Sequence, residues 1–243
     1  MSRIAVLGGA GGIGRALVSS LLAQGDEVVV LDLPASLEAH PQDCPGVDID
    51  VTSQAAVADA MAEVARIWPE GVDGFVNLAG WNAVIKPVTE IPTEHFDEVI
   101  EGNLRGQWIA AKAILPLMRE GGSMVLISSG LGQFIRPGFG PYAMSKAGVI
   151  ALTKTLALEC APKLRVNAVG PAVVDTGFIR GGAGRSDESG DSIVDLDFHK
   201  RVTPMGRVAV ADDIAGPIRF LLGPDSGFMT GQVLWVNGGA YMP

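Results

Sequence analysis

Cysteine is scarce in this 243-residue chain, with only Cys44 and Cys160. Two isolated thiols make neither a disulfide framework nor a metal cluster, and they suit a reducing compartment; a cytoplasmic location and no bound metal are expected. Positive charge is also short. Eighteen Lys and Arg against 27 Asp and Glu leave a formal charge of −9. That balance argues against a nucleic-acid or anionic-membrane partner. No apolar run reaches the ~18 residues of a spanning helix. A strand-like run begins almost at residue one, which leaves no room for a signal peptide. Repeats and linkers are lacking too. A single domain over 1–243 is expected, since α/β folds of this size are routinely undivided.

Glycine, by contrast, is plentiful and clustered. Arg3-Ile4-Ala5-Val6-Leu7 is a short apolar run that breaks into Gly8-Gly9-Ala10-Gly11-Gly12-Ile13-Gly14, followed by an apolar-periodic stretch. Strand, glycine turn and helix form the context of a dinucleotide fingerprint. Glycines permit a tight turn. They also let the backbone approach a pyrophosphate at the helix N-terminus. Gly8, Gly11, Gly12, Ile13 and Gly14 are therefore candidate cofactor residues. Several glycine spacings coexist in the run, so the glycines alone choose no subfamily.

The run Glu27-Val28-Val29-Val30-Leu31 ends in Asp32. Its continuous β-branched character suits a parallel strand buried on both faces. An acid there can accept hydrogen bonds from ribose hydroxyls and repels a 2′-phosphate, which predicts NAD over NADP. The alternative for Asp32 is a strand-end turn role.

Tyr142 and Lys146 are four residues apart, on one face of an expected helix. A nearby ammonium stabilises a phenolate and lowers the phenol pKa. The pair reads as a proton-transfer device. The alternative is a surface tyrosine beside a solvated lysine.

Strand-like runs fall near 3–7, 27–31, 47–50, 73–77, 123–128, 164–169 and 232–236. Helical runs fall near 13–24, 53–67, 93–118, 141–160 and 211–222. The alternation predicts a doubly wound α/β (Rossmann) fold: seven parallel strands with helices on both faces. Thr93 is the expected N-cap of helix 93–118, and Gly102 and Gly106 predict a break within it.

With the glycine turn, Asn77-Leu78-Ala79-Gly80, Ser129, Tyr142, Lys146 and Pro171 in this order, the chain resembles the short-chain dehydrogenase/reductase family over essentially its whole length. The resemblance implies an NAD-dependent oxidoreductase acting on a secondary alcohol or ketone. Tyr142 is then the general acid/base. Lys146 tunes the phenol and holds the nicotinamide ribose, Ser129 orients the substrate oxygen, and Asn103 holds a proton-relaying water. It further implies that Asp50 and Val51 flank adenine, that Asn77 braces the sheet, and that Ala79 and Gly80 pass close to the cofactor. Pro171, Val174 and Thr176 fall in the segment that touches the nicotinamide carboxamide. Ala172 stands where the family usually has glycine, and Leu78 where it has a second asparagine.

The substrate is less legible. Segment 177–203 has the length and composition of a lid. Trp81, Phe134 and Phe178, with Ile135 and Phe139, could line an apolar pocket for a largely uncharged cyclic or aromatic substrate. Ile135 and Phe139 could equally be core. Arg136, Arg180 and Arg185 could meet a carboxylate or phosphate, or be solvated surface. Apolar residues around much of helix 141–160, and the C-terminal strand with Trp235, suggest a homo-oligomer, a tetramer favoured; Trp235 could instead simply fill the core. Three other functions stay open: an NAD-using epimerase or dehydratase, a 3-oxoacyl-type reductase, and a non-catalytic NAD-binding sensor.

Overall fold

A computed structural model describes residues 1–82, 84–181 and 190–242. Seven strands form one all-parallel sheet in the order β3-β2-β1-β4-β5-β6-β7. They are β1 (Arg3–Leu7), β2 (Glu27–Asp32), β3 (Gly46–Asp48), β4 (Val72–Asn77), β5 (Met118–Ile127), β6 (Arg165–Pro171) and β7 (Val233–Val236). The helices are α1 (Gly12–Ala23), α2 (Pro34–Ala39), α3 (Gln54–Ile67), α4 (Thr93–Ile100), α5 (Gly106–Ile114), α6 (Gly140–Cys160), α7 (Leu196–Val202) and α8 (Ala211–Leu222).

The strand period explains the two-sided core. In β1, Ala5 and Leu7 join a cluster with residues of α3, α5 and α6, while Ile4 and Val6 join one with α1 and α8. Successive side chains leave a strand on opposite faces, so a strand buried on both must be apolar throughout. Each fully buried Leu, Ile or Val contributes about 1.5–3 kcal/mol relative to exposure. The strand order reverses between β1 and β4, and that switch point opens a crevice over the strand C-termini.

Several elements differ from the sequence expectation. The helix foreseen over 93–118 ends at Ile114. A 3-10 turn, Leu115–Leu117, contains Pro116, and β5 already begins at Met118. The ring of Pro116 cannot continue the i→i−4 ladder. Thr93 is the first helical residue of α4, and Pro92 precedes it as the cap. The foreseen break is a π-helical segment, Glu101–Arg105, between α4 and α5. A Cβ on Gly106 would sit 2.7 Å from Val51 Cγ2, and one on Gly102 would sit 2.8 Å from Trp81 Nε1. Helices α2 and α7 were not foreseen; each is under eight residues, too short to show a period. Among the described residues no helix is long and apolar enough to cross a membrane.

Candidate active site

The glycine turn closes β1 onto α1. Gly8 lies in the left-handed region at φ 79°, and a Cβ there would sit 3.0 Å from the Leu78 carbonyl carbon. A Cβ on Gly14 would collide with the Gly8 carbonyl oxygen. One on Gly12 would sit 2.7 Å from Thr176 Cβ. The turn is thus pinned between the ends of β4 and β6. Gly11 caps α1 with no side-chain acceptor, so the first N–H groups of the helix face the crevice without a capping side chain. Such a helix start suits a pyrophosphate.

Asp32 ends β2 beside this turn. Its carboxylate accepts from Ala10 N at 3.0 Å and Leu33 N at 2.8 Å. Burial pushes its carboxyl above the usual range, and these N–H groups pull it back down. Asp50 turns its carboxylate onto Thr52 N and Oγ1, and it lines the same cavity with Val51.

That cavity has a volume of about 1130 Å³, room for a dinucleotide and a small substrate. Gly8, Gly11, Gly12, Ile13, Gly14 and Asp32 line it, as do Ser129, Tyr142, Lys146, Pro171, Val174 and Thr176. Ala79, Gly80, Trp81, Phe134, Phe139 and Phe178 line it as well. The glycine cradle, the uncapped helix start and the strand-end carboxylate fit a nicotinamide dinucleotide.

The helix α6 carries Tyr142 and Lys146 on its buried face. Lys146 is 2% exposed. Its Nζ donates to the Ile127 carbonyl at 3.1 Å and lies 5.6 Å from the centre of the Tyr142 ring. Burial pushes the Lys146 ammonium down to about 7. Burial pushes the Tyr142 phenol up to about 12, while Ser129 beside it pulls the other way. In the ligand-free chain burial outweighs the pull that the spacing on α6 leads one to expect from the lysine. The ammonium is aimed at a main-chain carbonyl rather than at the hydroxyl, so desolvation dominates both groups. The phenol of the ligand-free protein is a proton donor at neutral pH.

Two candidate residues do not line the cavity. Asn77 is fully buried and accepts from Ala79 N at 3.1 Å, which shapes the turn after β4. Asn103, fully buried in the π-helical segment, accepts from Trp81 N and donates to Trp81 O, both at 2.7 Å. Its amide is occupied by the main chain. A Cβ on Gly80 would meet both Asn103 Oδ1 and Lys146 Nζ, so the two side chains flank one turn.

The aromatic wall extends beyond the sequence reading. Phe178 lies 6.0 Å from Tyr142, centre to centre. Phe134 lies 4.5 Å from Tyr241 and 6.0 Å from Trp235. Tyr241 and Trp235 both line the cavity, so Trp235 is wall rather than simple core filling. Ile135, foreseen as lining or core, is 63% exposed and lies outside the cavity. Thr176 makes no capping hydrogen bond to the 3-10 turn Gly177–Arg180 that follows it. Tyr241 and His199 were missed. Only two tyrosines exist in the chain, and that scarcity was the available signal for Tyr241. Arg185 and residues 182–189 of the expected lid lie outside the described residues.

The family model described as enoyl-(acyl carrier protein) reductase matches residues 8–241. The chain belongs to the short-chain dehydrogenase/reductase family. It is 35% identical to the cis-1,2-dihydrobenzene-1,2-diol dehydrogenase of Pseudomonas putida, over 96% of this chain and 90% of that one. It is 28% identical to the NAD-dependent glycerol dehydrogenase of Listeria innocua, over 96% and 91%. A longer, uncharacterised short-chain type dehydrogenase/reductase of Sinorhizobium fredii is 34% identical over 97% of this chain, which spans 43% of that protein. Among solved structures, the ligand-free aldohexose dehydrogenase of Thermoplasma acidophilum superposes with a TM-score of 0.87 at 27% identity, covering 100% of this chain and 95% of that one.

Proposed function

We propose that this oxidoreductase moves a hydride between NAD(H) and a secondary alcohol or its ketone, on a substrate with a largely apolar, cyclic or aromatic body. The observation that carries the reading is the convergence of Ser129, Tyr142 and Lys146 with the glycine turn and Asp32 around one cavity. Relatives named for a dihydrobenzenediol and for glycerol support alcohol chemistry, and the latter's name supports NAD.

NAD, when bound, supplies the hydride acceptor and a positive ring charge near the phenol. Tyr142 gives a proton to the carbonyl oxygen in reduction and takes it from the hydroxyl in oxidation. Ser129 donates to the same oxygen and stabilises charge as it develops. Lys146 offers Nζ to the nicotinamide ribose and to the phenol's proton exchange. Asn103 holds the Gly80–Trp81 turn against Lys146, the place where a relayed water would sit. Pro171, Val174 and Thr176 would hold the carboxamide, and Asp50 and Val51 the adenine. Trp81, Phe134 and Phe178 exclude water from the reacting carbon. Of the segment 177–203 read as a lid, the described residues Phe178, Ile179, Ile193, Val194 and His199 line the cavity, and Phe178 covers Tyr142. A homotetramer belongs to the same reading: Leu158 is 83% exposed on α6 and Trp108 48% exposed on α5. Light scattering on the purified protein reports the mass.

The test is a panel of secondary alcohols and ketones followed by NADH absorbance, with NADP(H) in parallel. Turnover with NAD is expected. No redox turnover of any member would remove the reading. Asp32→Asn keeps an acceptor oxygen but loses the charge that repels a 2′-phosphate. It is expected to lower the NAD-over-NADP preference by roughly 10- to 100-fold, the worth of a charged hydrogen bond. An unchanged preference would take Asp32 out of cofactor selection.

A further inference from the structure

We propose that the substrate carries a carboxylate or sulfonate, and that the Arg136 guanidinium pairs with it at the mouth of the cavity. This rests on the alcohol/ketone reading above and names the part of the substrate farthest from the chemistry.

The cations on the cavity wall do not share one state. Lys146 is buried and donates to the Ile127 carbonyl. Arg207 forks onto both carboxylate oxygens of Asp213, at 2.5 and 2.8 Å. Arg180, just outside the wall, is held by Asp175 at 2.6 Å and by the Thr176 carbonyl at 3.0 Å. Arg136 is exposed and lines the cavity, and it makes no ion pair or hydrogen bond with any described residue. In a chain of net charge −9, an arginine on the cavity wall that pairs with no acid among the described residues is an unused anion partner.

Its neighbours report its position. The Arg136 charge acts on His199 of α7, where burial first and then that charge lower the imidazole, with Asp195 opposing. It also lowers the Tyr241 phenol, which burial pushes up to about 12. Asp195 is engaged in capping α7 through Phe198 N, at 2.8 Å. Arg136 is therefore near enough to His199 and Tyr241 for its charge to act on both, and no described acid pairs with it.

The wall supplies the rest of the outline. Ser129 and Tyr142 supply hydroxyl recognition, Phe134, Phe139 and Phe178 supply apolar wall, and Arg136 supplies a charge, all lining one cavity. A planar guanidinium presents paired donors that match a carboxylate or sulfonate edge. A substrate with a hydroxyl or carbonyl, a ring, and an oxyanion beyond the ring satisfies all three.

Matched probes test this with NAD: 4-(1-hydroxyethyl)benzoate, 4-(1-hydroxyethyl)benzenesulfonate and the uncharged 4-(1-hydroxyethyl)benzamide. At least one anion is expected to exceed the amide in kcat/KM by roughly tenfold, carried mainly by KM. Arg136→Gln is expected to bring that anion-to-amide ratio near one. Equal efficiency for all three probes, or a ratio unmoved in Arg136→Gln, overturns the inference while turnover of the amide leaves the alcohol reading standing. A second measurement serves if no probe is oxidised: titration of the NADH-loaded enzyme with 4-acetylbenzoate and 4-acetylbenzamide, followed by nicotinamide fluorescence. Tighter, Arg136-dependent binding of the benzoate supports the anion site even though the chemistry then fails. Equal or undetectable binding of the two ends the proposal.

Discussion

Tyr142→Phe is expected to lower kcat by roughly 10²- to 10⁴-fold, the range of a positioned general acid or base. The substitution removes one oxygen and leaves the ring, so the 6.0 Å contact with Phe178 and the face beneath Lys146 Nζ persist. Binding of NAD, measured by calorimetry, is expected to survive because the glycine turn and Asp32 are untouched. The phenol is raised to about 12 in the ligand-free protein, so the oxidation direction needs added positive charge before the oxygen can act as a base. Alcohol oxidation by the wild-type enzyme should therefore rise with pH more steeply than ketone reduction does. A Tyr142→Phe enzyme that keeps kcat within a few-fold would take the tyrosine out of proton transfer. Retained NAD binding with no turnover in the parent protein would favour a sensor.

The second large effect is on stability. Burial holds the Lys146 ammonium down at about 7 in the folded chain, against the ordinary 10.5 of a solvated lysine. Between these pH values the unfolded chain binds the proton and the folded one does not. Stability consequently rises with pH across that window, at up to about 1.4 kcal/mol per pH unit. Below pH 7 both states are protonated and the burial cost is fully present. Tyr142 acts in the opposite sense higher up: the unfolded phenol ionises first, so its contribution falls between pH 10 and about 12. Lys146→Met fills the same space without a charge. Denaturant melts of both ligand-free proteins at pH 6 to 10 should diverge, with the wild type losing ground toward acid by a few kcal/mol. Parallel stability curves would show that the ammonium is solvated in the folded state.

Much of this architecture was legible from periodicity. The valine run of β2 and the apolar stretch of β1 could be satisfied only by a sheet covered on both faces. Helices α1, α3, α6 and α8 were long enough to show their period, whereas α2 and α7 were not. The helix expected over 93–118 stops short because Pro116 ends it, and β5 begins at Met118. The cavity residues divide in the same way. Gly14 and Asp32 announce themselves by local spacing, because strand, turn and helix are contiguous in the chain. Tyr241, Trp235 and His199 reach the cavity from the C-terminal segment and α7, far in sequence from Ser129 and Tyr142.

The protonation state of the Tyr142–Lys146 pair was out of reach of the sequence. Spacing on one helix face brings a phenol and an ammonium near each other, and from that alone the lysine should acidify the tyrosine. The fold sets the outcome through two distances and burial: Nζ donates to the Ile127 carbonyl, it lies over the Tyr142 ring 5.6 Å from its centre, and both side chains are buried. The amino-acid order determined a parallel sheet with a dinucleotide cradle, since hydrophobic period and glycine placement are local. Tertiary structure decided which charges are satisfied, pairing Arg3 with Glu70 and Arg119 with Asp73 and leaving Arg136 without an acid among the described residues. Such pairs join side chains far apart in the chain, and no linear spacing encodes them.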